Sequence, residues 1–136
     1  MPLELDHAIV PSRDRAAAAR LLASLLDVPW AAQGPVGPFS PVYVTDGLTL
    51  DFDQYEPGAA LPRLHFCFRV DDARFDAILS RLRAAGIACR GTPHGPDDGQ
   101  VNPAFGGRLV YWGEPDGHVW EVLTRSYERR ETGAAG

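Results

Sequence analysis

Residues 64–87 read LHFCFRVDDARFDAILSRLRAAGI, and within this stretch the period of a strand gives way to the period of a helix. Apolar residues first alternate with His65, Cys67 and Arg69, which predicts a strand with one buried face. Asp71 and Asp72 then offer caps for a helix whose apolar residues recur at helical spacing: Phe75, Ile78, Leu79 and Leu82. The stretch therefore predicts a strand that leads directly into an amphipathic helix.

The same pattern occurs earlier in the chain. LDHAIV, residues 5–10, predicts a short buried strand, and the helix after it carries an apolar stripe: Ala18, Leu21, Leu22 and Leu25. Ser12 is the expected cap of this first helix. Since His7 and His65 stand at matching places in the two strands, the chain is interpreted as an internal repeat of two similar modules.

Each module continues with further strands. The turn sequences DG and EPDG separate alternating stretches such as RLVYWG and HVWEVLT. We therefore predict an α+β fold in which two βαβββ modules, residues 1–60 and 61–127, form a single domain over residues 1–127. The polar end of the chain, residues 128–136, is expected to be disordered.

The composition excludes several classes of protein. With 136 residues, 45% of them apolar, and a net charge of −5 without a basic stripe, the chain is expected to be globular and not to bind nucleic acid. No apolar run is long enough for a membrane span, and no signal sequence is evident, so a cytoplasmic location is expected. Cys67 and Cys89 lack metal-type spacing and are expected to be free thiols.

Four polar residues share the strand faces that point away from the predicted helices, because strand neighbours alternate between faces: His7, Asp51, His65 and Glu121. Apolar residues such as Ile9 and Leu109 lie on the same faces, which is typical of a pocket wall. A charged group there must be paired or bound to a metal. Two imidazoles with one or two carboxylates are suited to a divalent cation.

Plainer interpretations remain open at this point. Each histidine can be a hydrogen-bonded structural group, Asp51 a solvated acid, and Glu121 the partner of Arg69 or Arg125. The long segment 91–107 carries His94 and is equally compatible with a lid over a pocket and with a mobile surface connection.

The chain resembles the vicinal oxygen chelate superfamily, which includes glyoxalases, extradiol dioxygenases, and fosfomycin- and bleomycin-resistance proteins. The resemblance rests on LDHAIV before a helix, on residues 64–87, and on GGRLVYWGEPDGHVWEVLT, residues 106–124, where Glu114 begins a turn similar to the family's DPDG. It implies curled mixed sheets around a metal-lined cavity. One divalent ion (Fe, Mn, Zn, Co or Ni) would be held by His7, His65 and Glu121.

The resemblance also implies a function. We expect an enzyme of glyoxalase-like lyase or isomerase type that chelates a small substrate through adjacent oxygens. Asp51 would be a fourth ligand or the base, and Tyr111 would bind the substrate. An extradiol-type dioxygenase and a protein that sequesters a small molecule without turnover are the alternatives. A homodimer is expected, with the site within one chain or shared between two.

Overall fold

The computed structural model describes residues 1–129, so most of the predicted tail, residues 128–136, lies outside the described residues. The chain divides into two compact units between Pro62 and Arg63. The predicted module boundary falls two residues earlier, at residue 60. That the two units make one domain stays a prediction, and each unit is described by itself.

The first unit packs one helix on a three-stranded sheet. Its elements are β1 (His7–Ser12), α1 (Arg15–Leu26), β2 (Ser40–Thr45) and β3 (Leu48–Gln54). The strand order is β1-β3-β2, with β1 parallel and β2 antiparallel to β3. An isolated bridge between Trp30 and Val42 stands where a further strand was expected. The helix side of this sheet is the core of the unit, where Val10, Val42 and Leu50 are buried.

The first helix begins later than the sequence predicts. Ser12 belongs to β1, where its buried hydroxyl donates to the backbone oxygen of Asp53 at 2.7 Å, so the expectation that it caps α1 is wrong. The cap is Asp14, whose carboxylate accepts from the N–H of Ala17 at 3.1 Å. Pairing of β1 with β3 continues through Ser12, and this pairing delays the helix by two residues.

The second unit repeats the plan with a four-stranded sheet. Its elements are β4 (His65–Arg69), α2 (Asp72–Ala84), β5 (Cys89–Arg90), β6 (Leu109–Gly113) and β7 (Val119–Leu123). The order is β4-β7-β6-β5, with β4 parallel to β7 and the other pairs antiparallel. Asp71 caps α2, as predicted, through the N–H of Arg74 at 2.8 Å. The predicted α+β fold with a repeated strand–helix–strands order is confirmed.

The apolar stripe of α2 is buried, as are the side chains on one face of its sheet: Val110, Trp112, Trp120 and Val122. Arg108, just before β6, links the helix to the sheet because its guanidinium contacts Asp72 at 2.9 Å and Asp76 at 2.7 Å and lies over the ring of Phe75. The opposite face of the sheet does not pack against α2.

A buried histidine fixes the parallel pair β4–β7. His118 has no exposed surface, and its Nδ1 accepts the backbone N–H of Leu64 at 3.0 Å. The turn before it is held by Glu114, whose carboxylate accepts the N–H of His118 at 2.8 Å. These bonds set the register in which His65 lies opposite Val119.

The segment 91–107 is partly ordered by its own contacts. Asn102 forms a bridge with Leu109, and residues Ala104–Gly106 make a short 3₁₀ turn. Arg90 holds the start of the segment through Asp97 at 2.8 Å and through the backbone oxygen of Pro93. Over residues 1–129, no helix is both long enough and apolar enough to cross a membrane.

Candidate functional site

The face of the second sheet that points away from α2 carries three of the predicted site residues. Parallel pairing of β4 with β7 places Cys67 opposite Glu121, and antiparallel pairing of β6 with β7 places Tyr111 opposite the same glutamate. His65, two residues before Cys67, lies on the same face. Leu109, Tyr111 and Leu123 form a buried apolar cluster beside them. The predicted mixture of polar groups and apolar wall is therefore present in this unit.

Glu121 is the centre of this face. Its side chain has no exposed surface, although a carboxylate in apolar surroundings requires partners. The hydroxyl of Tyr127 donates to it, at 2.9 Å from Oε1 and 3.0 Å from Oε2, and His65 Nε2 lies 3.1 Å from Oε1. These contacts, and not an ion pair with Arg69 or Arg125, satisfy the carboxylate.

The two ring nitrogens of His65 have different roles. Nδ1 lies 2.9 Å from the backbone oxygen of Val119, which can only accept, so Nδ1 carries a hydrogen. A neutral ring then directs the lone pair of Nε2 at the Glu121 carboxylate, which is also an acceptor. A cation is needed between these two groups, either a second proton on the ring or a metal ion. The bond from Nδ1 to a carbonyl is also the usual arrangement of a metal-binding histidine.

Two tyrosines border the pair. The hydroxyls of Tyr111 and Tyr127 are 3.5 Å apart, and the rings of Tyr111 and His65 stack with centroids 5.8 Å apart. Burial raises the pKa of Tyr111, and burial together with the bond to Tyr111 raises the pKa of Tyr127. Both phenols therefore keep their protons at neutral pH and can donate hydrogen bonds.

Cys67 adds a third protonated group. Although Cys67 is exposed as a residue, partial burial of its sulfur, followed by the charge of Glu121, raises the pKa of the thiol to about 12. The thiol is free, as is that of Cys89, in agreement with the prediction from the sequence. Beside Glu121 this side chain is therefore a neutral thiol rather than a thiolate at neutral pH.

A cleft of about 700 Å³ opens onto this face. His65, Tyr111 and Tyr127 form one part of its wall, and the segment 91–107 contributes Pro93, His94 and Gly95. The remainder of the wall is lined by Arg63, Leu64, Arg90, Gly117 and Val119. Of the two interpretations of the segment 91–107, the one that places it at a pocket fits this lining.

The first unit carries the other two predicted site residues. His7 and Asp51 line a smaller pocket of about 330 Å³ together with apolar side chains such as Ile9 and Phe39. His7 Nδ1 lies 2.7 Å from Asp6 Oδ2, and this bond raises the pKa of the imidazole, with a smaller contribution from Asp51. His7 is 58% exposed, so it is accessible to a partner.

The structure thus brings His65, Glu121 and Tyr111 together in one unit, and His7 and Asp51 in the other. No cluster of three or more His, Cys, Asp or Glu side chains arranged to hold a metal occurs in residues 1–129. The three-residue ligand set therefore stays a prediction. The sequence does not mark Tyr127 as a site residue, because it follows the last strand and no alternating pattern there indicates the direction of its side chain.

Comparison with known proteins identifies solved structures that share this fold. No protein-family model and no curated protein matches the chain. Among solved structures, oxidase ChaP-H1 is 41% identical with a TM-score of 0.84, and the match covers 94% of this chain and 100% of that one. Oxidase ChaP-H2 is 36% identical with a TM-score of 0.85, over 93% and 97% of the two chains.

A more distant structure shares the fold alone. Lactoylglutathione lyase from Agrobacterium tumefaciens is 20% identical, with a TM-score of 0.65 over 90% of this chain and 94% of that one. This chain has a repeated strand–helix–strands module and a polar face on its second sheet. It is therefore a glyoxalase-like α+β protein. The chain belongs to the vicinal oxygen chelate superfamily, which confirms the resemblance seen in the sequence.

Proposed function

We propose that this protein is a metal-dependent oxidase of the vicinal oxygen chelate superfamily that acts on a small organic substrate with two adjacent oxygens. The observation that carries the proposal is the contact between His65 Nε2 and the fully buried Glu121, which calls for a cation. The choice of oxidation rests on ChaP-H1 and ChaP-H2, which are both more than 30% identical to this chain and are both named oxidases.

The residues of this face are suited to a divalent ion. His65 and Glu121 offer one nitrogen and one carboxylate, and His7 is the proposed third ligand. A bound ion would supply Lewis acidity toward the two oxygens of a chelating substrate. Fe, Mn, Co, Ni and Zn all accept such a ligand set, and cellular supply selects among them.

The chain's own groups have separate tasks in this proposal. Tyr127 fixes the orientation of the Glu121 carboxylate through bonds to both of its oxygens. The hydroxyl of Tyr111, protonated at neutral pH, donates to a substrate oxygen in the cleft. The apolar cluster of Leu109 and Leu123 excludes water from the same wall and thereby strengthens these polar contacts.

Metal content tests the site independently of turnover. Protein purified without chelators should hold about one divalent ion per chain, and Glu121→Gln and His65→Ala should hold much less. Glu56→Gln and His94→Ala are matched controls, since Glu56 is exposed and His94 lies on the loop side of the cleft. Equal metal content in the parent and in all four variants would exclude the proposed site.

A second candidate function is the glyoxalase-type lyase or isomerase, which is favoured by the shared pocket of Asp51 and His7. Oxygen uptake with catechol or hydroquinone substrates supports the oxidase. Conversion of hemithioacetals without oxygen, abolished in Asp51→Asn, supports the lyase or isomerase. Tight binding of these compounds without turnover under any of the five metals indicates sequestration and contradicts both enzymatic proposals.

A further inference from the structure

The charges along the cleft of the second unit are not balanced. Arg63 and Arg90 both line it. The guanidinium of Arg90 is neutralised by Asp97 at 2.8 Å and also donates to the backbone oxygens of Thr92 and Pro93. Arg63 has no ion-pair partner among residues 1–129. One cationic group of the cleft wall is therefore left without a counter-charge.

The position of Arg63 is defined by the backbone around it. The next residue, Leu64, donates its N–H to His118 Nδ1 and accepts the N–H of Val119, each at 3.0 Å. The Arg63 side chain lies across Gly117, where an added Cβ would stand 3.5 Å from Nε and 3.7 Å from Cγ. Gly117 has a φ of +97°, a conformation that favours glycine. The exposed Arg63 side chain thus runs along the turn at Gly117, which also lines the cleft.

Among residues 1–129, those that line the cleft include no Asp or Glu that could pair with this guanidinium. The carboxylate of Glu121, on the same face of the sheet, is engaged by Tyr127 and His65. An arginine in a partly apolar cleft binds a carboxylate through two parallel hydrogen bonds, and these are stronger than bonds between neutral groups.

We propose that Arg63 binds a carboxylate of the substrate, so that the substrate combines two adjacent oxygens with an anionic group. The inference rests on the proposed function, because it takes the His65–Glu121 end of the cleft as the place of the adjacent oxygens. Arg63 determines specificity in this proposal and takes no part in the chemical step.

The test compares two probes that differ only in charge: 3,4-dihydroxybenzoate and 3,4-dihydroxybenzamide. Titration calorimetry on the purified protein should show the acid binding about tenfold more tightly than the amide. Arg63→Gln should bring this ratio to about one and leave the affinity for the amide unchanged, while Arg63→Lys should retain part of the preference. Arg20→Gln, which removes the same charge from α1, should keep the parental ratio.

Three results would overturn the inference: equal affinity of the parent for the two probes, an acid preference that persists in Arg63→Gln, or no binding of either probe. Failure of the proposed function has a different signature. If Glu121→Gln keeps the parental metal content while the acid preference still depends on Arg63, the carboxylate site stands and the metal-dependent reaction does not.

Discussion

Glu121 has no exposed surface, yet it lies on the sheet face that opens into the cleft. It is held by contacts from three directions, since Tyr127 donates from beyond β7, His65 lies on β4, and the thiol of Cys67 stands opposite it. A buried carboxylate with fixed partners is already oriented before any cation binds. The geometry of the face therefore depends on its neighbours as much as on the glutamate itself.

Replacing Tyr127 by phenylalanine removes the hydroxyl that bonds both oxygens of Glu121 and keeps the ring packed near Phe105. We expect metal affinity to fall by about tenfold to a hundredfold. Competition with a chelator of known affinity measures the change, and a thermal melt of the metal-free protein checks that the fold is intact. Tyr55→Phe in the first unit is the matched control. Parental metal affinity in Tyr127→Phe would show that the hydroxyl does not position the ligand.

The sequence could predict the position of some residues of the site but not of others. Strand alternation alone places His65, Glu121 and Tyr111 on one face, and the structure has them there. Tyr127 and Arg63 lie just outside strands, and their directions depend on contacts that no local pattern encodes. His118 was likewise missed, because its burial depends on accepting the N–H of a residue 54 positions earlier.

The turn between β6 and β7 joins the strands that carry Tyr111 and Glu121. Glu114 stabilises this turn by accepting the N–H of His118, and Gly117 donates back to the backbone oxygen of Glu114 at 2.9 Å. Burial, and to a smaller extent the charge of Asp116, raises the pKa of the Glu114 carboxyl above its ordinary value of 4.5. The turn therefore holds an acid whose ionised form is disfavoured.

This raised pKa predicts how Glu114→Gln changes stability with pH. A raised pKa in the folded state contributes stability below about 4.5, and this contribution is lost as pH rises through the folded value. The amide keeps the acceptor for His118 and cannot ionise, so the variant should gain about 0.5 kcal/mol over the parent at pH 7 and less at pH 3. Urea unfolding at both pH values measures the difference, with the exposed Glu56→Gln as control. A gain that is equal at both pH values would contradict the assignment.

Local sequence patterns predict the two helices but do not predict all the ends of the helices and strands. The apolar stripe of α2 and the cap Asp71 follow from the sequence. The stripe predicted for α1 is only partly right, since Leu22 and Leu25 are buried but Ala18 and Leu21 are only half-buried. The buried face of α1 also includes Ala19, Ala23 and Leu26. The start of α1 was misplaced because pairing with β3 holds Ser12 in β1. The first unit also has only an isolated bridge between Trp30 and Val42 where the repeat suggested a full strand.

The first unit presents His7 beside exposed apolar residues. Ile9 is 42% exposed and Val36 is 77% exposed, and both line the same pocket as His7. Exposed apolar side chains grouped around a polar residue mark a surface suited to a partner. We propose that this partner is a second copy of the chain, and that His7 of one copy completes the metal site formed by His65 and Glu121 of the other.

Co-expression of two defective chains tests this sharing. His7→Ala and Glu121→Gln each lose the metal site in a homodimer, but a mixed dimer of the two has one site with all three ligands intact. Because random pairing makes half of the dimers mixed and each then carries one complete site of two, metal content should recover to about a quarter of the parental value. Co-expression of His65→Ala with Glu121→Gln should recover nothing, since both defects lie in the same unit. If His7→Ala with Glu121→Gln also recovers nothing while the parent holds its ion, the three ligands come from a single chain.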